Sequence, residues 1–293
     1  MLRQEAAQKG IKSVRQGIFV NLFLATVKGV VGVVGNSFAL VADAIESGAD
    51  VLSSLIVLFG LRLASKEPDE DHPYGHGRVE TLTAIIVAGT LILAAVYIAY
   101  QAIQNILKPD DEPPKPYTLI VLILVVTIKE IIARRIQRVA EQTSSTAVKG
   151  DAGHHHADAI TALLAAIGIS IALIGGKGYE SADDWAALFA SFVIVYNAYK
   201  IFKPALDEMM DKAPSREEIE SIRNLARQVP GVLDAEKCFI RKSGFEYFID
   251  IHVVVDANIN VKEGHRIGHA VKDFIIANKP MVYDVLTHIE PYK

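Results

Sequence analysis

A single cysteine, Cys238, is the whole thiol inventory of this chain. That excludes an internal disulfide framework and any metal site built from several thiolates, and it fits a reducing compartment. Charge is also scarce. Only 22% of the 293 residues are charged and the formal net charge is −4, so the basic face that nucleic-acid binding requires is missing. The N-terminus lacks the pattern of a cleavable signal.

What the chain has instead is apolar surface. Hydrophobic residues make up 51% of it, too many for an ordinary soluble enzyme of this length. They are gathered in the first two hundred residues, while the last eighty or so are charge-rich. A bilayer core takes roughly 20 apolar residues as helix, and six stretches qualify: 14–35, 38–63, 79–106, 117–141, 148–174 and 184–207. Gly35-Asn36-Ser37 leaves room only for a tight hairpin between the first two, and Pro109 to Pro116 is a proline-rich turn between the third and fourth. Arg3, Lys9, Lys12, Arg15, Arg62, Lys66, Arg78, Arg134, Arg135, Arg138 and Lys149 fall on one side of this arrangement. Only Lys108, Lys115 and Lys177 fall on the other. The positive-inside bias therefore predicts cytoplasmic termini in an integral, multi-pass protein of the cell inner or plasma membrane.

The texture changes near Pro214, which predicts a transmembrane domain over 1–211 and a soluble α/β domain over 212–293. Within the latter the periodicity reads as a helix at 216–227, strands at 236–241 and 246–256, a helix at 262–278 and a strand at 282–290. In the second strand Phe245, Tyr247, Ile249, Ile251, Val253 and Val255 alternate with Glu246, Asp250, His252 and Asp256, predicting one apolar and one partly polar face.

Charges inside apolar helices carry the chemical signal, because an ionisable group at bilayer depth costs at least a few kcal/mol unless it is hidden, paired or bound. The second helix holds Asp43, Glu46 and Asp50; the fifth holds Asp151, His154, His155, His156 and Asp158. Positions three, four and seven apart share a helical face. Asp43-Ala-Ile-Glu46-Ser-Gly-Ala-Asp50 and Asp151-Ala-Gly-His154-His-His-Ala-Asp158 have the same spacing, so Glu46, Asp50, His154 and Asp158 offer four ligands from two helices. Three carboxylates and one imidazole suit a borderline divalent ion such as Zn²⁺. The competing reading pairs these acids with Lys28 and Lys129, which also lie in apolar segments; it is weighed about equally for Asp43 and Asp151 and less for the other four. The imidazole and the crowded carboxylates release protons when metal binds, so protons are the expected counter-ion.

These stripes, the Asp71-His72-Pro73-Tyr74-Gly75-His76-Gly77 loop and the α-β-β-α-β tail together resemble the cation diffusion facilitator family over nearly the whole chain. The resemblance implies a homodimer of six-helix protomers in the lipid bilayer. It also implies a cytoplasmic metallochaperone-like domain and proton-coupled, alternating-access efflux of Zn²⁺ or related ions. Carried over, the transport site falls on Glu46, Asp50, His154 and Asp158. Glu46 departs from the more familiar His or Asp, which keeps Cd²⁺, Fe²⁺ and Mn²⁺ in play. Asp69, His72 and His76 match a loop site; a solvated Gly/Pro turn explains them as well. His252, His265, His288 and Glu290 match metal ligands of the tail domain, with Glu236 standing where a histidine is expected and His269 as a further candidate. Two other classes compete: a membrane-embedded metal-dependent hydrolase, for which no H-E-x-x-H or other enzyme motif exists, and a metal-responsive membrane scaffold, which has no need of intramembrane charges.

Overall fold

The computed structural model describes residues 18–19, 21–64, 66–108, 114–143, 146–176, 178–244 and 246–292. At 61, 129, 132–133, 135–143 and 146–159 it describes the backbone alone. Six long helices come first: α1 (Asn21–Val34), α2 (Phe38–Ala64), α3 (Arg78–Leu107), α4 (Pro116–Thr143), α5 (Thr146–Gly175) and α6 (Ala182–Met209). Then follow α7 (Arg216–Arg227), β1 (Asp234–Ser243), β2 (Glu246–Val255), α8 (Val261–Asn278) and β3 (Val282–Pro291). The expected order is found throughout; the ends of α2 to α6 fall within a few residues of their predicted positions, while residues 14–17, where the first helix is predicted to start, lie outside the described residues.

The chain divides into two compact units, one of Met1–Leu58 with Ile86–Ile201 and one of Phe59–Ile85 with Phe202–Lys293. In the first, helices pack through small residues: Ala42, Ala95, Ala102, Ala162, Ala165, Ala187 and Ala198 are buried beside Leu40, Ile98, Leu122 and Ile169. Such residues let helix backbones approach where no hydrophobic effect drives association. Gly168 makes the point, since a Cβ there would stand 2.4 Å from that of Ala186. Large apolar side chains face outward instead, among them Leu93, Ile120, Ile174, Phe189 and Phe192. An apolar exterior of this extent belongs in lipid. By length and composition α2, α3 and α6 are able to cross a membrane, and the described parts of α1, α4 and α5 carry shorter apolar stretches.

The hairpin between α1 and α2 is held by contacts distant in sequence. The backbone N–H of Lys115 donates to Gly35 O at 2.8 Å, and a Cβ on Gly35 would lie 2.1 Å from Thr118 Cγ2, so only glycine fits. Asp183, buried at the start of α6, accepts from the Ser37 hydroxyl and the Ala39 N–H, both at 3.0 Å. It satisfies an orphan donor of α2 and places a carboxylate at that helix's positive end.

In the second unit β1 pairs antiparallel with β2, and β2 pairs parallel with β3 through α8, giving the order β1-β2-β3. Helices α7 and α8 begin at Ser215 and Asn260, whose side-chain oxygens accept from the N–H groups of Glu218 and Glu263. Ile222, Ala226, Ile249, Ile251, Val253, Ile267, Val271 and Ile275 form the core. The predicted apolar face of β2 holds for Ile249, Ile251, Val253 and Val255; Phe245 lies outside the described residues. The opposite face needs correcting: Phe248 and Val254 on it are buried as well. Phe248 is covered by the rings of Tyr74 and Tyr283, at centroid distances of 5.7 and 5.4 Å.

Replacing Asp183 by Ala orphans the Ala39 N–H and the Ser37 hydroxyl. It is expected to cost about 1–3 kcal/mol, with Asp183→Asn costing less because one acceptor survives. Thermal unfolding of the detergent-solubilised protein measures both, and a wild-type midpoint for Asp183→Ala would remove Asp183 from this role.

Candidate metal centres

Glu46 and Asp50 are buried on α2, a helical turn apart, as their spacing requires. Asp43 is buried on the same stripe, and here the competing reading wins. Lys28 of α1, wholly buried, places Nζ 2.7 Å from Asp43 Oδ2 and donates to Asp43 O at 3.0 Å and to Ser47 Oγ at 2.5 Å. The backbone of α5 runs unbroken through 151–158. The side chains of Asp151, His154, His155, His156 and Asp158, and that of Lys129, lie outside the described residues.

Asp69, His72 and His76 do come together, with one ligand atom from each within 4.8 Å of the others. The segment folds on itself: Asp69 Oδ1 lies 2.9 Å from His72 Nδ1 and accepts from the His72 backbone N–H at 2.7 Å. His76 Nε2 is 3.4 Å from Asp69 Oδ2, and the two imidazoles are 4.3 Å apart. The hydrogen bond from the His72 side chain is the main influence holding the Asp69 carboxyl below its usual range. His76 is nearly buried, and its Nδ1 has no hydrogen-bond partner among the described residues, so Nε2 is the atom turned to the cluster.

The second cluster is His252, His288 and Glu290. The parallel ladder sets His252 directly opposite His288, their rings 4.7 Å apart, and the two-residue period brings Glu290 to the same face. Glu290 Oε1 lies 2.6 Å from His252 Nδ1 and 3.9 Å from His288 Nε2. That hydrogen bond to His252 depresses the Glu290 carboxyl. His265 is not brought into this group; it stands on the exposed face of α8 with its ring 4.5 Å from that of His269. Glu236 is exposed where the β1 register shifts between Ala235 and Cys238. Burial pushes the Cys238 thiol up to about 11, so no thiolate competes as a ligand.

The sequence reading missed Glu208. Its carboxylate accepts from Thr81 Oγ1 at 2.7 Å, Lys242 Nζ at 2.8 Å and the Gly244 N–H at 3.1 Å. Arg78 reaches Asp211 at 2.7 Å beside it. These bonds fix the β1–β2 turn to the first turns of α3, just beyond the Asp69 cluster. A carboxylate in the last turn of a helix, where the dipole disfavours it, is the local signal that marked Glu208 out.

Residues 14–210 match the cation efflux transmembrane domain, and residues 214–292 match the cation efflux protein cytoplasmic domain. Manganese efflux system protein MneP of Bacillus subtilis is 32% identical over 94% of each chain. Metal tolerance protein C1 of Arabidopsis thaliana is 30% identical over 98% of this chain and 64% of its own length. The solved structure MamM-CTD 215-293 is similar at 23% identity and a TM-score of 0.26, covering 27% of this chain and all of that one. The chain belongs to the cation diffusion facilitator family, with six transmembrane helices followed by an α-β-β-α-β cytoplasmic domain. It is a divalent metal cation efflux transporter and not an enzyme, which removes the hydrolase alternative.

Glu290 supplies a pH test in metal-free protein. A carboxylate with a depressed folded pKa contributes stability above its unfolded value, and loses that contribution as pH falls through the folded one. The stability difference between wild type and Glu290→Gln is therefore expected to be constant above the ordinary glutamate value of 4.5 and to close below it. Urea unfolding across pH measures it, and a pH-independent difference would refute the His252–Glu290 bond.

Proposed function

We propose that the cargo binds Glu46, Asp50, His154 and Asp158 and that its release is driven by protons in an alternating-access cycle. The observation that carries this reading is the burial of Glu46 and Asp50 on one face of α2. Carboxylates retained at membrane depth are expensive and are kept for an ion or a proton. The helical period gives His154 and Asp158 a matching face on α5. The cargo is a divalent transition-metal ion, with Zn²⁺ as the ion the imidazole favours; Cd²⁺ and Fe²⁺ are further candidates. Mn²⁺ has separate support: three carboxylates make an oxygen-rich set that suits it, and the relative from Bacillus subtilis is a manganese efflux protein.

The cytoplasmic clusters, Asp69-His72-His76 and His252-His288-Glu290, take further ions of the same class, and their mutual hydrogen bonds supply a pre-assembled donor set. Both termini are cytoplasmic, the domain boundary falls at 211/212, and the protein sits in the cell inner or plasma membrane as a homodimer. Exposed Phe239 and Leu286 on the two outer strands are apolar surface available for self-association.

Asp158→Ala in proteoliposomes is expected to abolish metal-driven proton flux without changing the thermal midpoint. Undiminished flux in a folded variant would defeat the assignment. Replacing Glu46 with His exchanges a hard donor for an imidazole and is expected to move preference from Mn²⁺ towards Zn²⁺ by about tenfold. An unchanged rank across Zn²⁺, Cd²⁺, Fe²⁺ and Mn²⁺ would show that Glu46 does not select.

A further inference from the structure

The α2 stripe offers three carboxylates, but the proposed site uses two of them. Asp43 lies one turn before Glu46 and two turns before Asp50, at rises of about 4.5 and 10.5 Å, and has the right face to act as another ligand. What withdraws it is Lys28. Wholly buried, this side chain reaches across from α1 and touches, among its partners on α2, the Asp43 carboxylate, the Asp43 carbonyl and the Ser47 hydroxyl. Asp43 and Ser47 flank Glu46 on adjoining positions of the stripe, so the ammonium is fastened beside a proposed ligand.

We propose that Lys28 is an internal counter-ion that removes Asp43 from the donor set and holds cation affinity low enough for release. This rests on the reading of Glu46 and Asp50 as transport ligands. The Lys28–Asp43 pair carries no net charge, so it adds little to the field that the cargo meets at the site. Without Lys28, Asp43 becomes one more negative charge within a turn of Glu46 and a further oxygen donor. Without Asp43, Lys28 becomes an uncompensated positive charge at the same place. Lys28 and Asp43 are buried, where charges are screened weakly, so each change shifts divalent-ion affinity by roughly tenfold or more, in opposite directions. An affinity set too high slows a transporter, because the ion must leave as readily as it enters.

The sign separates a charge-setting role from a structural one. In proteoliposomes, with initial rates measured against Zn²⁺ and Mn²⁺, Lys28→Met is expected to lower KM about tenfold and to lower kcat with it. Asp43→Asn is expected to raise KM about tenfold, and the double variant K28M/D43N, neutral again, to return KM to within about threefold of wild type. If both single substitutions move KM in one direction, or neither moves it, the proposal is overturned. Should Lys28→Met fail to fold, the comparison of Asp43→Asn with the double variant decides the matter: the double variant must have the lower KM by about tenfold, and equal values overturn the proposal. Asp158→Ala in the same vesicles keeps the two questions apart. If it transports normally, the assignment of the site fails; if it is inactive and the Lys28 and Asp43 variants lack opposite signs, only the counter-ion proposal fails.

Discussion

A charged side chain withdrawn into a bilayer loses its hydration, and nothing in hydrocarbon replaces it, so each buried charge must be met by a partner within reach. The first unit is arranged around that requirement. Lys28 meets Asp43 and ties α1 to α2. Asp183 is met by buried donors at the start of α2, tying α6 to the same helix. Helix α2 is thus gripped near its beginning by one neighbour and along its face by another. Glu46 and Asp50 are presented on a helix whose position is set by charge pairing as well as by packing. Alanine at most of the contacts lets the backbones come close enough for those pairs to form.

The second unit solves a different problem. Its histidines and carboxylates are partly solvated, so burial does not force them together; local backbone geometry does. Asp69 and His72 are brought together by a turn in which each backbone N–H points to the other residue's carbonyl. His252 and His288 are brought together by a parallel register, which α8 makes possible by carrying the chain back to the start of the sheet. Groups held this way already bond one another, and a metal ion must displace those bonds and the protons in them. Metal binding proposed at these clusters is therefore expected to depend on pH.

The sequence made the elements legible because each depends on a local period. Twenty-odd apolar residues make a spanning helix, and alternation makes a half-buried strand. The Glu46–Asp50 stripe was legible for the same reason, since three, four and seven are helical intervals. Long-range pairing is not periodic, and there the reading gave out. Lys28 and Lys129 were equally eligible partners on paper, and only the fold assigned Lys28 to Asp43. Nothing near Asp183 announces that it caps a helix that begins 145 residues earlier. Phe248 sits at a polar position of β2 and is buried because Tyr74, from a distant connection, lies over it. His265 matched a family ligand, yet α8 sets its ring beside that of His269 and outside the cluster of the other three.

The distribution of donor types between the units bears on how such a protein discriminates among metals. The proposed intramembrane site has one imidazole among four ligands, whereas each cytoplasmic cluster has two among three. Nitrogen-rich sites favour Zn²⁺ over Mn²⁺ more strongly than oxygen-rich ones do. On the proposed assignment, the two three-residue clusters are expected to prefer Zn²⁺ over Mn²⁺ more strongly than the intramembrane site does. The Glu208 bonds hold the β1–β2 turn to the first turns of α3, and the proposed Asp69, His72 and His76 site lies in the segment that leads into that helix.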